Sequence, residues 1–236
     1  MNKLKMFCLP YSCGSKTIYS DWISRYSDVA EVIPVEYSGH GSRFTEELYN
    51  DAQKISDDVV KTIISEAPSN YVVYGHSMGC LIAYLTALKL SSRYKYPPKA
   101  VIIGGTRPPH LKYKDERLSG YSKEKIIEKM IELGQMDEEI LKDPELMDIL
   151  SDIFIADISA GENFEQDEIK TINIPMFVGT GLQDDEAPAE DMGEWKKYTT
   201  SLFLLKCFDD SHFFPFNCPE YPSYLKKVLR DIAKYC

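Results

Sequence analysis

Short apolar runs alternate with amphipathic stretches along this chain. Six runs are rich in β-branched or aromatic residues and end at Pro, Gly or Ser, which is typical of strands. These runs are 4–9, 29–35, 71–74, 100–103, 174–178 and 202–208. Apolar residues instead recur every three or four positions over 52–66, 81–90 and 221–234, which predicts helices. Alternating strands and helices predict an α/β fold with a mainly parallel sheet and helices on both faces.

One long stretch departs from this alternation. Residues 113–170 contain no strand pattern, only helical patterns at 123–133, 138–141 and 144–160. Asp143 precedes Pro144, which predicts an N-cap followed by proline at the first helical position. No repeat or low-complexity linker marks a second domain. We therefore expect one domain over 1–236, with 113–170 as a helical lid inserted into it.

Composition and charge narrow the possible partners. The 236 residues are 44% hydrophobic and 27% charged, which is ordinary for a globular protein. The net charge of −10 argues against nucleic acid or an anionic membrane as the main partner. The charge is uneven, because 89–125 carries 10 basic and 3 acidic residues whereas 126–196 carries 4 and 20. The basic segment is a candidate docking surface for an acidic protein, near the entry to the lid, through Arg93, Lys95, Lys99, Arg107, Lys112, Lys114 and Arg117.

The cysteines and the apolar runs indicate the cellular compartment in which we expect the protein. The six cysteines form no CxxC pair and no zinc-type spacing. No secretory signal is apparent, since Pro10 interrupts the first apolar run, and no window reaches the 18 apolar residues of a membrane span. We expect a reduced, cytoplasmic protein that does not enter a membrane.

The clearest chemical motif is Gly75-His76-Ser77-Met78-Gly79, which fits G-x-S-x-G between a strand pattern and a helix pattern. A nucleophilic serine on such a sharp turn needs glycine on either side, because a Cβ there would collide with the neighbouring backbone. The motif predicts Ser77 as the nucleophile. The Met78 amide, at the start of the helix, is then one donor to an oxyanion.

A serine nucleophile requires a base and a carboxylate that orients it. His212 follows the last predicted strand through a short polar turn, so it lies at the same strand ends as Ser77. His40 and His110 lack this context, and His76 lies within the motif itself. The strand before 202–208 leads to Asp184 and Asp185; we prefer Asp184 and keep Asp185 as the alternative. The order Ser, Asp, His is that of α/β-hydrolases.

The second oxyanion donor is expected in the small-residue loop after the first strand. Backbone N–H groups of residues 10–15 can converge on the point that Met78 addresses. Ser12 is the candidate for this amide. Cys13 is interpreted as a structural thiol, because no histidine is suitably placed to activate it.

Together with other segments of the chain, these motifs resemble those of the type II (external, stand-alone) thioesterases of nonribosomal peptide and polyketide biosynthesis. Residues 7–14 resemble their F-P-x-A-G-G loop and 35–43 their P-G-R-x-x-R segment. Residues 75–79 match their G-H-S-M-G motif at every position. Segments 143–146 and 156–157 are similar to their helical lid, and Gly181, Asp184, Trp195 and His212-Phe213-Phe214 to their final third. The chain departs from the family pattern at Ser12-Cys13 in place of Ala-Gly, Ser38 in place of Pro, and His40 in place of Arg.

The resemblance implies an α/β-hydrolase fold and hydrolysis of aberrant or stalled acyl thioesters on the 4′-phosphopantetheine arm of acyl or peptidyl carrier domains. It implies a Ser77–His212–Asp184 triad, oxyanion donors at Ser12 and Met78, and no metal or other cofactor. An esterase or acyltransferase acting on a small acyl group that no carrier holds is the alternative. A catalytically silent binder of carrier domains is a third hypothesis, which the complete set of catalytic residues disfavours.

Overall fold

A six-stranded, fully parallel sheet forms the centre of the computed structural model, which describes residues 3–66, 68–111, 117–132 and 142–235. The strand order is β2-β1-β3-β4-β5-β6. The strands are β1 (Lys5–Leu9), β2 (Glu31–Pro34), β3 (Tyr71–His76), β4 (Val101–Gly104), β5 (Met176–Gly181) and β6 (Phe203–Phe208). Each of them overlaps one of the six predicted runs, so the mainly parallel sheet is confirmed. The chain reverses its direction of strand addition between β1 and β3, and parallel sheets bind ligands at such switch points.

Eight α-helices occur in the described part of the chain. They are α1 (Ser20–Arg25), α2 (Ala52–Ser65), α3 (Met78–Ser92), α4 (Lys123–Glu132), α5 (Pro144–Glu162), α6 (Ala189–Gly193), α7 (Phe214–Asn217) and α8 (Tyr221–Tyr235). The helices predicted over 52–66, 81–90 and 221–234 correspond to α2, α3 and α8. No membrane-spanning candidate, meaning a helix of sufficient length and apolar character, is found among the described residues.

Buried side chains lie on both faces of the sheet because successive strand residues point to opposite sides. On one face, Val73 and Val101 belong to the same apolar cluster as Val59 and Ile63 of α2 and most of α3. On the other face, Val72 and Ile102 cluster with residues of α1 and α8, including Trp22, Leu225 and Leu229. Helices therefore cover both faces, as the uninterrupted apolar strands predict.

Helices α4 and α5 lie between β4 and β5 and pack on each other through Ile126, Met130 and Phe154. The predicted N-cap of α5 is confirmed, because the Asp143 carboxylate accepts the N–H groups of Glu145 and Leu146, each at 3.1 Å. The predicted helix at 138–141 falls outside the described residues. So do Lys112 and Lys114 of the basic segment.

Candidate active site

Ser77 occupies a sharp turn between β3 and α3, at the carboxyl edge of the sheet. Its backbone has φ 53° and ψ −125°, a conformation that residues with a Cβ rarely adopt. The Ser77 N–H donates to the Gly104 carbonyl at the end of β4, at 2.8 Å. The neighbouring strand thus holds the strained turn in place.

The two glycines of the motif allow backbone segments to approach closely. A Cβ on Gly75 would lie 2.0 Å from the Gly79 carbonyl oxygen, and one on Gly79 would lie 2.5 Å from the Leu9 carbonyl oxygen. Both distances are far shorter than a van der Waals contact. Gly79 therefore lets the first turn of α3 pack directly on the end of β1, which brings the Met78 amide next to the loop that follows β1.

Asp184 and His212 are hydrogen-bonded to each other at the same edge of the sheet. The His212 Nδ1 atom lies 2.9 Å from Asp184 Oδ2. The other carboxylate oxygen of Asp184 accepts the N–H groups of Glu186 and Ala187, each at 3.1 Å. Asp184 is buried, whereas Asp185 is exposed. Of the two adjacent aspartates, Asp184 is therefore the one that contacts the imidazole.

Opposing effects act on the pKa of His212. Burial alone would lower this pKa, but the hydrogen bond and the charge of Asp184, with the charge of Glu186, raise it above 6.5 overall. Because Nδ1 faces a carboxylate, the proton stays on Nδ1 and Nε2 is the nitrogen that can accept one. This is the arrangement that a general base requires.

The His212 ring also lies beside the serine turn. Its centroid is 5.1 Å from that of His76, the residue before Ser77. A Cβ on Gly105, which has φ 80°, would lie 2.6 Å from His76 Cε1 and 3.2 Å from His212 Cε1. The two rings therefore pack against the Gly105 backbone. Residues Ser77, Asp184 and His212, predicted from the ends of three strands, lie at one edge of the sheet.

His76 is fully buried in an aromatic cage. The rings of Tyr11, Phe213, Phe214 and Phe216 surround it at centroid distances of 5.7 to 6.4 Å. Burial, and then the charge of His212, lower the pKa of His76 well below 6.5. A neutral His76 adds no positive charge beside the His212 imidazole.

The loop after β1 lies against the start of α3 and is anchored by tyrosine hydroxyls. Tyr19 donates to the Leu9 carbonyl at 2.8 Å and Tyr37 to the Pro10 carbonyl at 3.1 Å. The Ser12 amide makes no hydrogen bond to another described residue. The Met78 amide, the first of α3, has no acceptor within its helix. These are the two amides that the sequence nominated as oxyanion donors.

Sequence reasoning assigned no role to the contact between Asp157 and His40, which lies next to this loop. Asp157 in α5 is 0% exposed and accepts the Cys13 N–H at 2.7 Å. Its Oδ2 also lies 3.0 Å from His40 Nε2, and His40 is 3% exposed. One available signal was the position of Asp157 three residues from both Phe154 and Ala160, on the buried side of α5.

The basic segment does not form one surface near this site. Helix α3 runs away from Ser77 for 15 residues, roughly 22 Å. Arg93, Lys95 and Lys99 follow it, at the opposite edge of the sheet, so the expectation that they lie near the site is wrong. Arg107 does follow the carboxyl end of β4, and it lies 3.6 Å from Asp191.

Solved thioesterase structures share this fold. RedJ, a thioesterase of the prodiginine pathway in Streptomyces coelicolor, superposes with a TM-score of 0.85 at 26% identity, covering 96% of this chain and 84% of that one. YbtT, a type II thioesterase of the yersiniabactin pathway, gives a TM-score of 0.86 at 21% identity, over 98% of this chain and 93% of YbtT. The predicted α/β-hydrolase fold is therefore confirmed.

Sequence comparison gives the same family. Gramicidin S biosynthesis protein GrsT of Aneurinibacillus migulanus is 24% identical, over 97% of this chain and 90% of its own. The human medium-chain S-acyl fatty acid synthase thioesterase is 28% identical, over 95% of this chain and 87% of its own. The sequence model of the Thioesterase domain family matches residues 4–235. The chain, with its serine turn and its buried acid–histidine pair, therefore belongs to the thioesterase domain family and is a thioester hydrolase, as its sequence predicts.

Proposed function

We propose that this protein is a type II thioesterase, which hydrolyses aberrant or stalled acyl thioesters on the 4′-phosphopantetheine arm of acyl or peptidyl carrier domains. The observation that carries the proposal is the buried Asp184–His212 hydrogen bond of 2.9 Å, at the same sheet edge as the strained Ser77 turn. The relatives from the gramicidin S, prodiginine and yersiniabactin pathways support the substrate class.

In the acylation step, Ser77 Oγ attacks the thioester carbonyl carbon while His212 Nε2 takes its proton. Asp184 keeps the imidazole in the required tautomer and stabilises the imidazolium. The carbonyl oxygen becomes an oxyanion, which the Met78 and Ser12 amides stabilise. The C–S bond then breaks, and His212 returns the proton to the departing pantetheine sulfur.

In the deacylation step, water attacks the acyl-Ser77 ester. His212 Nε2 takes a proton from this water, and the same two amides stabilise the second oxyanion. Collapse of the intermediate returns the proton to Ser77 Oγ and releases the free acid. The carrier leaves with a free thiol, ready for correct loading.

The segment 113–170 would act as a lid over the acyl group. Helices α4 and α5 bury their own small apolar cluster, and the partly buried Cys13 of the loop after β1 packs against it. Such an element can form the acyl pocket and govern entry of the phosphopantetheine arm. From the cysteine spacings we infer a reduced, cytoplasmic enzyme, and we propose a monomer as its working state.

The test uses mass spectrometry to measure the hydrolysis of acetyl- and longer acyl-carrier proteins by the wild type, Ser77→Ala and Ser92→Ala. We expect the first variant to lose roughly 10⁴-fold or more in kcat, as removal of a nucleophile does in serine hydrolases. Ser92, exposed at the far end of α3, is the matched control and should keep wild-type turnover. Retained turnover in Ser77→Ala would exclude the mechanism. Faster turnover of simple esters than of carrier-bound thioesters would favour the small-substrate alternative.

A further inference from the structure

The carboxylate of Asp157 joins the helix α5 to the loop after β1. This side chain is fully buried, and its Oδ2 accepts both the Cys13 N–H at 2.7 Å and a hydrogen bond from His40 Nε2 at 3.0 Å. Its Oδ1 has no hydrogen-bond partner among the described residues. A buried carboxylate with so few donors is costly unless a positive charge lies next to it.

His40 supplies that charge, as its surroundings indicate. Its Nε2 faces the Asp157 carboxylate and its Nδ1 lies 3.1 Å from the Ser38 carbonyl. Both neighbours accept hydrogen bonds, so both ring nitrogens must carry a hydrogen to satisfy them. An imidazole with a hydrogen on each nitrogen is an imidazolium. The geometry therefore describes a buried ion pair.

The amide that Asp157 holds is part of the candidate oxyanion loop. Cys13 N belongs to the peptide plane that links Ser12 to Cys13, so a fixed Cys13 N–H restricts the rotation of Ser12. Cys13 has φ 63°, a left-handed backbone conformation that is unfavourable for a non-glycine residue. Surrounding contacts must hold such a turn, and the Asp157 bond is one of them.

We propose that Asp157 and His40 form a positioning pair, in which the Asp157 carboxylate holds the Cys13 amide so that the neighbouring Ser12 amide points at the oxyanion, and His40 holds that carboxylate in place. Through this pair, the position of α5 and the conformation of the candidate oxyanion loop depend on each other. This inference rests on the proposed function of Ser12 in the hydrolase mechanism.

Several ionisable groups face His40 from the elements around it. Asp157 lies on α5, while Glu36 and Tyr37 lie after β2 and Cys13 lies after β1. Burial alone would lower the pKa of His40; the hydrogen bond and charge of Asp157, the Ser38 carbonyl and the charge of Glu36 raise it above 6.5 overall. Burial, and then the charge of Asp157, raise the pKa of the Cys13 thiol to about 12, so this thiol stays neutral. His40 loses its positive charge, and the ion pair is lost, as pH rises through the pKa of His40.

The first test compares Asp157→Asn with Asp143→Ala. Both residues are aspartates of the α5 region that accept backbone N–H bonds, but Asp143 only caps the helix. We expect Asp157→Asn to lower kcat by about 10- to 100-fold with KM within about threefold, because a displaced donor weakens binding of the transition state rather than of the substrate. Asp143→Ala should lower the melting temperature and leave kcat within about twofold of wild type. An equal fall of kcat in both variants, or none in Asp157→Asn, would overturn the positioning role.

A second variant, His40→Gln, keeps Asp157 and Cys13 and serves if Asp157→Asn does not fold. We expect the wild-type kcat to decline at alkaline pH as His40 loses its proton, and we expect this decline to be absent from His40→Gln. A decline of equal size in both would contradict the role of His40.

Each variant is assayed on an acyl-carrier protein and on a 4-nitrophenyl ester. A wild type active on the ester alone would refute the carrier substrate. The kcat values of the variants on the ester would still test the positioning role of Asp157 and His40. A wild type active on both, with Asp157→Asn unimpaired on both, would refute the pair and leave the proposed function intact.

Discussion

Hydrogen-bond partners fix the orientation of single side chains at the site. Asp184 uses one oxygen for His212 and the other for two backbone amides, so its carboxylate cannot rotate away from the imidazole. Asp185, the next residue, is exposed. Sequence alone left these two aspartates as alternatives, because a dipeptide in a loop has no periodicity to say which side chain faces inward.

The pH dependence of hydrolysis should reflect this partnership. His212 acts as a base only when Nε2 is unprotonated, and its pKa is raised, so kcat/KM should fall as pH decreases through a value above 6.5. Asp184→Asn removes the charge that raises this pKa, so the acidic limb should move to lower pH while the plateau kcat falls by roughly 10⁴-fold. Rate profiles over pH 5 to 9 measure both effects.

The matched control for this experiment is Asp185→Asn, which removes an equal charge one position along the chain. Its profile should follow that of wild type. A shifted acidic limb in Asp185→Asn, with none in Asp184→Asn, would assign the orienting carboxylate to Asp185 instead.

At the scale of elements, periodicity was sufficient to find all six strands and the long helices. It failed for α1, α6 and α7, which have 6, 5 and 4 residues. A helix this short completes too few turns to show a repeat of 3.6 residues, so tertiary contacts rather than the local pattern determine it.

The contact between α3 and the end of β1 depends on one missing side chain. Gly79→Ala would place a Cβ 2.5 Å from the Leu9 carbonyl oxygen, so α3 or the loop after β1 must shift. We expect the free energy of unfolding to fall by about 1–3 kcal/mol, as in overpacked cores. Turnover should fall as well, because the Met78 amide moves with the helix. Urea denaturation and the ester assay measure the two effects.

Gly120→Ala is the control, since a Cβ there would meet no heavy atom within 4 Å. Its stability and turnover should match those of wild type. If Gly79→Ala were as stable as Gly120→Ala, α3 would have more freedom to move against β1 than the close approach indicates.

At the scale of the whole molecule, docking depends on where the basic residues lie relative to the active site. The net charge of −10 would repel an acidic carrier domain, so docking requires a local basic surface. Arg93, Lys95 and Lys99 lie at the wrong edge of the sheet for this. The docking prediction therefore depends on Arg107, Arg117, Lys112 and Lys114. The two lysines lie outside the described residues.

Charge reversal tests this prediction. Lys112→Glu with Lys114→Glu should raise KM for an acyl-carrier protein by about 3- to 30-fold, because each charge contributes on the order of 0.5–1 kcal/mol at an interface rim. KM for a small thioester should not change. Lys95→Glu with Lys99→Glu carries the same charge change at the opposite edge and should leave both values unaltered. Equal effects of the two pairs would refute a local docking surface.

The sequence by itself determined the parallel α/β fold and the Ser77 turn, and it nominated His212 and a choice of two aspartates. These features are local: a strand–turn–helix unit, a glycine two residues either side of a serine, and an acid or histidine just after a strand. Strand pairing then brings the strand ends together, because parallel neighbours end at the same edge.

Only the tertiary structure decided which aspartate contacts His212 and which residues surround the loop after β1. Asp157 lies 144 positions from Cys13 and 117 from His40. No periodic pattern links residues so far apart, and a buried carboxylate can find its donors on any element that packs against it. The order of strands and the seating of α5 were needed to bring these three residues into contact.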